Sequence, residues 1–379
     1  MGNLILSHMS NPSYTNRRIH FYISSGGNAG LAAVCAARSY GHLCTVVTPF
    51  STSPLMAQKL RDAGATEVVK FGDTIAVAEE YMREVVMKDK GKEDSQEEVI
   101  PRVALHPFDH EAIWEGNSTI IDELVHQLPP AYDVRDGRGE AIPMDAVVCS
   151  VGGGGLLNGL VLGLERHSPV TSRDSGATKT SDKVENIHIL AVETDGTASL
   201  ALAISKKSLV SLPKITSLAT SLGCVRVSEQ TLNYALSPPP FVAIHSMVLS
   251  DTDAAKGVLR LVDDERVLVE LACGVCIEAA VGYEQELHGK KRKRSARDEG
   301  YGDGQDNDGR RSGSEASISD SANELDMGIA MPRLTRLRKL IPDLQPESRV
   351  VIIVCGGSNV TVEMASEWRK KIEHGWSIA

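Results

Sequence analysis

Aromatic residues are scarce in this chain. Five Phe, eight Tyr and three Trp make up 4% of 379 residues. A core of the size such a chain can build must then be aliphatic, rich in Ala, Val and Leu, which suits packed α/β layers. Positive charge is also in deficit, with 40 Lys and Arg against 50 Asp and Glu and a net charge of −10. That balance argues against nucleic acid as a partner. No apolar run approaches the length needed to cross a membrane. The opening MGNLILSHMSNPSYTNRR is neither a signal nor a transit peptide, and Leu6 stands where a myristoylation motif needs Ser or Thr. The expected location is therefore cytoplasmic. Of the seven cysteines, Cys273 and Cys276 form a single C-x-x-C with no second pair. Zinc is thereby disfavoured, and the apolar surroundings of most thiols fit a reducing compartment.

What the chain does have is glycine in unusual places. Ala146 to Leu160 reads AVVCSVGGGGLLNGL: a short apolar strand, four consecutive glycines, and a helix start. Without Cβ atoms the backbone can close on an anion, and the helix N-terminus adds a favourable field. A tight strand-to-helix turn that binds nothing is the alternative. Two common phosphate motifs are excluded by spacing. Leu160 follows Gly159 where a Walker A loop needs Lys, and no glycine completes G-x-G-x-x-G from Gly152 or Gly153.

The rest of the chain alternates short strands with helices. Strands are expected at 19–23, 43–48, 67–71, 103–107, 187–193 and 348–354, and helices at 54–63, 74–86, 114–128 and 361–372. This is the pattern of doubly wound parallel sheets. Charged or polar inserts fall at 89–98, 168–183 and 289–326, the last too polar to bury a core. The run Lys290–Arg294 resembles a nuclear-import patch, or is simply a solvated charge cluster.

Two further glycine turns follow apolar strands: SSGGNAG at 24–30 and CGGSN at 355–359. In an open parallel sheet, ligands collect at the carboxyl ends of strands, so three such turns would converge on one polar site. Ser24, Ser25 and Asn28 suit a carboxylate, although Ser25 or Asn28 could equally be a helix N-cap. Cys355 and Ser358 could meet the edge of a heteroaromatic ring, although Cys355 taken alone reads as a small buried hydrophobe.

The blocks SSGGNAG, SVGGGGLLNG, AVETDG, SLPKITSLATSLG, VDDERVLVELACG and VVIIVCGGSN, in this order, closely resemble the L-serine dehydratases (serine/threonine ammonia-lyases). These are fold-type II, tryptophan-synthase-β-like enzymes of pyridoxal 5'-phosphate. The resemblance spans nearly all of the chain outside the inserts. It implies two doubly wound α/β domains: a small one over 1–105, incomplete at its start, and a large cofactor-binding one over 106–379. It implies a phosphate cup at Gly152, Gly153, Gly154, Gly155 and Leu156. Asn28 would bond the cofactor's ring oxygen, and Ser25, Gly26 and Asn28 would hold the substrate carboxylate. Cys355, with Ser358 nearby, would face the pyridine nitrogen. Glu193, Thr197, Ser199, Leu222 and Cys224 would form a site for a monovalent cation such as potassium. The implied reaction is deamination of L-serine, secondarily L-threonine, to pyruvate or 2-oxobutyrate and ammonia, by a homodimer without nucleic-acid or membrane partners.

One departure is severe. The family's Schiff-base lysine lies in a segment like S-F-K-x-R-G, and no such segment occurs in these 379 residues. The MGN at the start resembles the residues just after that motif. Lys59, on an expected surface helix, Lys70 and Lys214 do not replace it. The chain as it stands is therefore expected to lack ordinary catalysis. Either the sequence begins after a lysine encoded upstream, or it is a short form that binds cofactor or amino acid without turnover. A cysteine-synthase-like β-replacement enzyme would share the fold, but such relatives usually place Ser where Cys355 stands.

Overall fold

The computed structural model describes residues 1–89, 100–129, 142–167, 186–283 and 334–376. Residues 90–98, the inserts at 168–183 and 289–326, and the basic run Lys290–Arg294 lie outside the described residues.

The chain forms two four-stranded parallel sheets, as its alternating pattern leads one to expect. The first is built from β1 (His20–Ser24), β2 (Leu43–Thr48), β3 (Glu67–Lys70) and β4 (Arg102–Leu105), in the order β3-β2-β1-β4. Its register pairs Tyr22 with Thr45 on one side and with Ala104 on the other. Helices α2 (Asn28–Ser39), α3 (Pro54–Asp62) and α4 (Ile75–Tyr81) make the crossovers. Ser53 caps α3 by accepting from the Met56 amide, with Pro54 at the first helical position, where its missing N–H costs nothing. The helix expected over 74–86 changes winding at Met82, where a π-helical turn runs to Val86.

One element differs from expectation at once. Residues 1–18 read as short and polar after a small apolar patch, with no helix expected, yet α1 (Gly2–Met9) is a helix whose Leu4 and Ile5 are completely buried. They complete the apolar layer with Phe21, Val34 and Leu105. Asn3 ties α1 to the start of the helix Glu111–Gln127, its Nδ2 donating to the Ala112 carbonyl at 2.8 Å.

The second sheet comprises β5 (Ala146–Ser150), β6 (Ile187–Thr194), β7 (Val242–Leu249) and β8 (Val350–Ile352), in the order β7-β6-β5-β8. Every residue of β6 is buried, as expected of a central parallel strand covered on both faces. The chain passes from β5 outward to β6 and β7, then returns to the other side of β5 as β8. The order reverses between β5 and β8, and the crevice beyond such a reversal is where open α/β sheets take ligands.

Helices α5 (Glu111–Gln127) and α6 (Gly155–Arg166) cover one face of this sheet, joined there by α7 (Ser199–Lys206) and α8 (Glu229–Leu236). On the other lie α9 (Asp251–Glu265), α10 (Leu271–Val281), α11 (Arg336–Leu340) and α12 (Val362–Glu373). Nearly every residue of α10 is buried, including Cys273 and Cys276, which are packing residues. Helices α9 and α10 pack backbone to backbone. A Cβ on Gly257 would overlap the Gly274 carbonyl, and one on Gly274 would overlap the Ala254 carbonyl. Among the described residues no helix is long and apolar enough to cross a membrane, and no cluster of three or more His, Cys, Asp or Glu side chains could hold a metal ion.

Candidate functional site

The four-glycine turn joins β5 to α6. Gly154 is the N-cap of α6 and takes φ +95°, a left-handed conformation that disfavours any side chain. A Cβ on Gly153 would enter the Phe108 ring, and one on Gly155 would come within 2.8 Å of the Phe108 carbonyl. The turn is thus pressed between the 106–110 loop and the chain around Leu222 and Thr231. No side chain caps α6, so the first N–H groups of this twelve-residue helix are open to an anion. Leu156 sits at the second helical position, partly buried.

Beneath the turn lies a fully buried polar cluster. Asn158 donates from Nδ2 to Ser228 Oγ at 3.1 Å and accepts from Thr231 Oγ1 at 2.9 Å. The Ser228 amide donates to the Gly153 carbonyl at 3.0 Å. These bonds hold the turn in place.

The second turn, 24–30, follows β1. Ser25 behaves as a local cap, its Oγ accepting from Gly30 N at 3.2 Å and Gly27 N at 3.4 Å. Asn28 does not cap; it is the first residue of α2, and its side chain reaches across to the second sheet. Its Nδ2 donates to Glu270 Oε1 at 3.0 Å, and its Oδ1 accepts from the Ser358 amide at 3.0 Å. Thr52 fills the space where a Cβ on Gly26 would lie, and its buried Oγ1 has no partner.

The third turn, 355–359, follows β8. Cys355 is exposed rather than buried, because the strand has ended and the sulfur lies at its open edge. The protein atoms around it still push its thiol pKa up. The Ser358 carbonyl accepts from Lys59 Nζ. Lys59 is therefore not confined to the outer surface of α3, since its long stem carries the ammonium to the 355–359 turn.

Glu270 is the residue that sequence reasoning missed. It immediately precedes α10 and is 5% exposed. Its Oε1 accepts from Asn28 Nδ2 and from the Asn359 amide at 2.6 Å, and its Oε2 accepts from Ser221 Oγ. Gly357, at φ +91°, passes so close that a Cβ would overlap the carboxylate. An acidic residue before a helix has an ordinary explanation as an N-cap, which hid this role; here its side chain makes no cap bond.

Glu193, Thr197 and Ser199 gather at the C-terminal end of β6 and the start of α7. Glu193 is fully buried and accepts from the amides of Leu200 at 2.7 Å and Ala201 at 2.8 Å. Burial raises its pKa to about 7, against the lowering effect of those amides. Ser199 Oγ is buried without a partner. Thr197 Oγ1 bonds Thr194 Oγ1 at 2.7 Å, and Thr194 in turn bonds Ser217. Leu222 and Cys224 end and follow a 3-10 turn, Thr220–Leu222, with Leu222 backbone 3.3 Å from where a Cβ on Gly152 would lie.

The geometry can be set beside known proteins. The family model described as pyridoxal-phosphate dependent enzyme matches residues 3–294. An L-serine dehydratase of Saccharomyces cerevisiae (strain AWRI1631) is 40% identical over 260 residues, 69% of this chain and 68% of the relative. The L-serine dehydratase/L-threonine deaminase of Mus musculus is 37% identical over 260 residues, 69% of this chain and 67% of that one. Among solved structures, a fungal L-serine ammonia-lyase from Rhizomucor miehei superposes with a TM-score of 0.65 at 24% identity, over 98% of this chain and 87% of that chain.

Proposed function

Because this chain belongs to the pyridoxal-phosphate-dependent enzyme family, we propose that its site serves the α,β-elimination of L-serine, and secondarily L-threonine, releasing ammonia and pyruvate or 2-oxobutyrate. The observation that carries the reading is the meeting of the 24–30 and 355–359 turns through Asn28 and Ser358, beyond the sheet that also carries the four-glycine turn. Pyridoxal 5'-phosphate, when bound, draws electrons from the α-carbon of an amino acid and so loosens its α-proton and β-substituent.

The chain's residues fit that group in its non-covalent contacts. Gly152 to Gly155 and Leu156 offer amides at an uncapped helix start to the phosphate. Asn28 offers an N–H to the ring oxygen. Ser25, Gly26 and Asn28 hold the substrate carboxylate beside the start of α2. Cys355 and Ser358 border the ring. A thiol whose pKa is raised stays neutral, so it does not hold a ring nitrogen protonated as an aspartate would. Electron withdrawal is then milder, which favours elimination over reactions needing a long-lived carbanion. Glu193, Thr197, Ser199, Leu222 and Cys224 take a monovalent cation such as potassium. Supporting this are the unpartnered Ser199 hydroxyl and the buried Glu193 carboxylate, groups that a hard cation would satisfy.

The 379 residues contain no S-F-K-x-R-G segment, so as they stand they bind the cofactor reversibly and lack ordinary catalysis. The active assembly is a cytoplasmic homodimer, which light scattering on the purified protein tests. Titration with pyridoxal 5'-phosphate, followed by tryptophan fluorescence, should saturate, and L-serine should then change the bound cofactor's absorbance. A chain that shows no saturable binding would refute the reading. Borohydride trapping with peptide mapping tests the covalent contact: no lysine should be labelled.

A further inference from the structure

Glu270 ties the two sheets together through one carboxylate. Donors reach it from three separate stretches: the Asn28 side chain after β1, the Ser221 hydroxyl in the 3-10 turn, and the Asn359 amide after β8. It is 5% exposed, and such a carboxylate stays in place only when its oxygens are satisfied.

The consequence for Asn28 is specific. A side-chain amide has one acceptor oxygen and two N–H donors. Here the oxygen is taken by the Ser358 amide at 3.0 Å and one N–H by Glu270 at 3.0 Å. The Glu270 carboxylate can only accept, so it forces the nitrogen of Asn28, not its oxygen, to face it. Asn28 Nδ2 also donates to Ser221 Oγ at 3.4 Å, a long, weak bond that a better acceptor displaces. We infer that Glu270 is a positioning residue that fixes the amide of Asn28 with its second N–H presented to the cleft, so that the site selects a ligand oxygen that accepts, as the phenolic oxygen of pyridoxal 5'-phosphate does. This rests on the proposed location of the cofactor. Glu270 touches no ligand itself; it acts through Asn28.

The test separates holding from presenting. Glu270→Gln removes the carboxylate's hold on the Asn28 nitrogen, because a glutamine can donate as well as accept, and leaves the Ser358 amide as the one remaining group that orients Asn28. Asn28→Asp sets two carboxylates against each other. The exchange variant Asn28→Asp/Glu270→Gln restores a donor–acceptor pair between the positions but leaves no N–H on residue 28. Melting temperatures without cofactor should fall in both single variants, and in the exchange variant by less than the sum of the two, because the Asn359 amide there still lacks its acceptor. Pyridoxal 5'-phosphate should bind the Glu270→Gln and exchange variants about tenfold or more weakly, the loss expected of one hydrogen bond to a charged oxygen. If the exchange variant regains full cofactor affinity, or Glu270→Gln never loses it, the presenting role is wrong. If the melting changes simply add, the tie itself is wrong. Should Asn28→Asp not fold, Glu270→Gln against the exchange variant still decides both points. Failure of the unsubstituted protein to bind cofactor would instead overturn the proposed site and the presenting role with it, and the melting cycle would judge the tie alone.

Discussion

Thr231 stands where a side chain on Gly154 would have to go: its Oγ1 overlaps the position of a Cβ built there. The same hydroxyl donates to Asn158 at 2.9 Å, so it cannot swing away without leaving a buried amide unsatisfied. Gly154→Ala should therefore cost about 2–5 kcal/mol, combining left-handed backbone strain with overpacking. Urea denaturation measures this loss, and binding of pyridoxal 5'-phosphate should fall with it. Adding Thr231→Ala should not rescue stability, because the φ of +95° remains.

Glu193 should give the protein an unusual pH response. Its pKa in the folded chain is about 7, above the ordinary value of 4.5, so the folded state holds a proton that the unfolded chain releases. Stability from this group is fully present below about 4.5 and is lost as pH rises towards about 7. The loss is at most about 3 kcal/mol from a shift of that size. Glu193→Gln should flatten the melting temperature over that window. If the cation site is as proposed, potassium should raise the melting temperature more at pH 8 than at pH 5.

His20 works in the opposite sense. Its ring bonds Thr45 Oγ1 at 2.8 Å and Tyr22 Oη at 3.0 Å, and burial, with Arg102 and Arg18 nearby, lowers its pKa from 6.5 to about 4. The unfolded chain then binds the extra proton, so stability is lost as pH falls from about 6.5 to about 4. His20→Gln should make this acid limb shallower, with His8, His42, His106, His188 and His245, whose pKa values burial also lowers, keeping the remainder, as urea midpoints at pH 4.5 and 7 would reveal.

The crossing of α9 and α10 depends on bare backbone. Gly274→Ala places a methyl in the Ala254 carbonyl, which no rotamer can relieve. A loss of about 3 kcal/mol or more is expected, read as a lowered urea midpoint. Gly2→Ala, whose added Cβ would meet nothing within 4 Å, should cost far less.

The three glycine turns were legible because each follows a short apolar strand and needs no partner to be noticed. Strand β6 was legible for the same reason, IHILAVET being apolar over most of its length. Strand β7 was not read in full. By its pattern 248–264 reads as a short strand and a helix, which catches only the end of β7, because His245 and Ser246 break the apolar run and Pro238 to Pro240 precede it. Leu4 and Ile5 were visible as part of a small apolar patch but not as core, since their burial depends on Phe21 and Leu105, which a local pattern cannot supply. Lys59 and Glu270 were hidden differently. A helical wheel shows which way a side chain leaves, not how far it reaches, and Glu270 finds its partners 49, 89 and 242 residues away.

The contact from Lys59 to the Ser358 carbonyl has a kinetic consequence. Together with Asn28 it spans the gap between the turns that follow β1 and β8. A ligand entering that gap must first part the contact of Lys59 with the Ser358 carbonyl. Its association rate is then governed by how often the two halves separate, not by how often the ligand arrives, and should level off as ligand concentration rises.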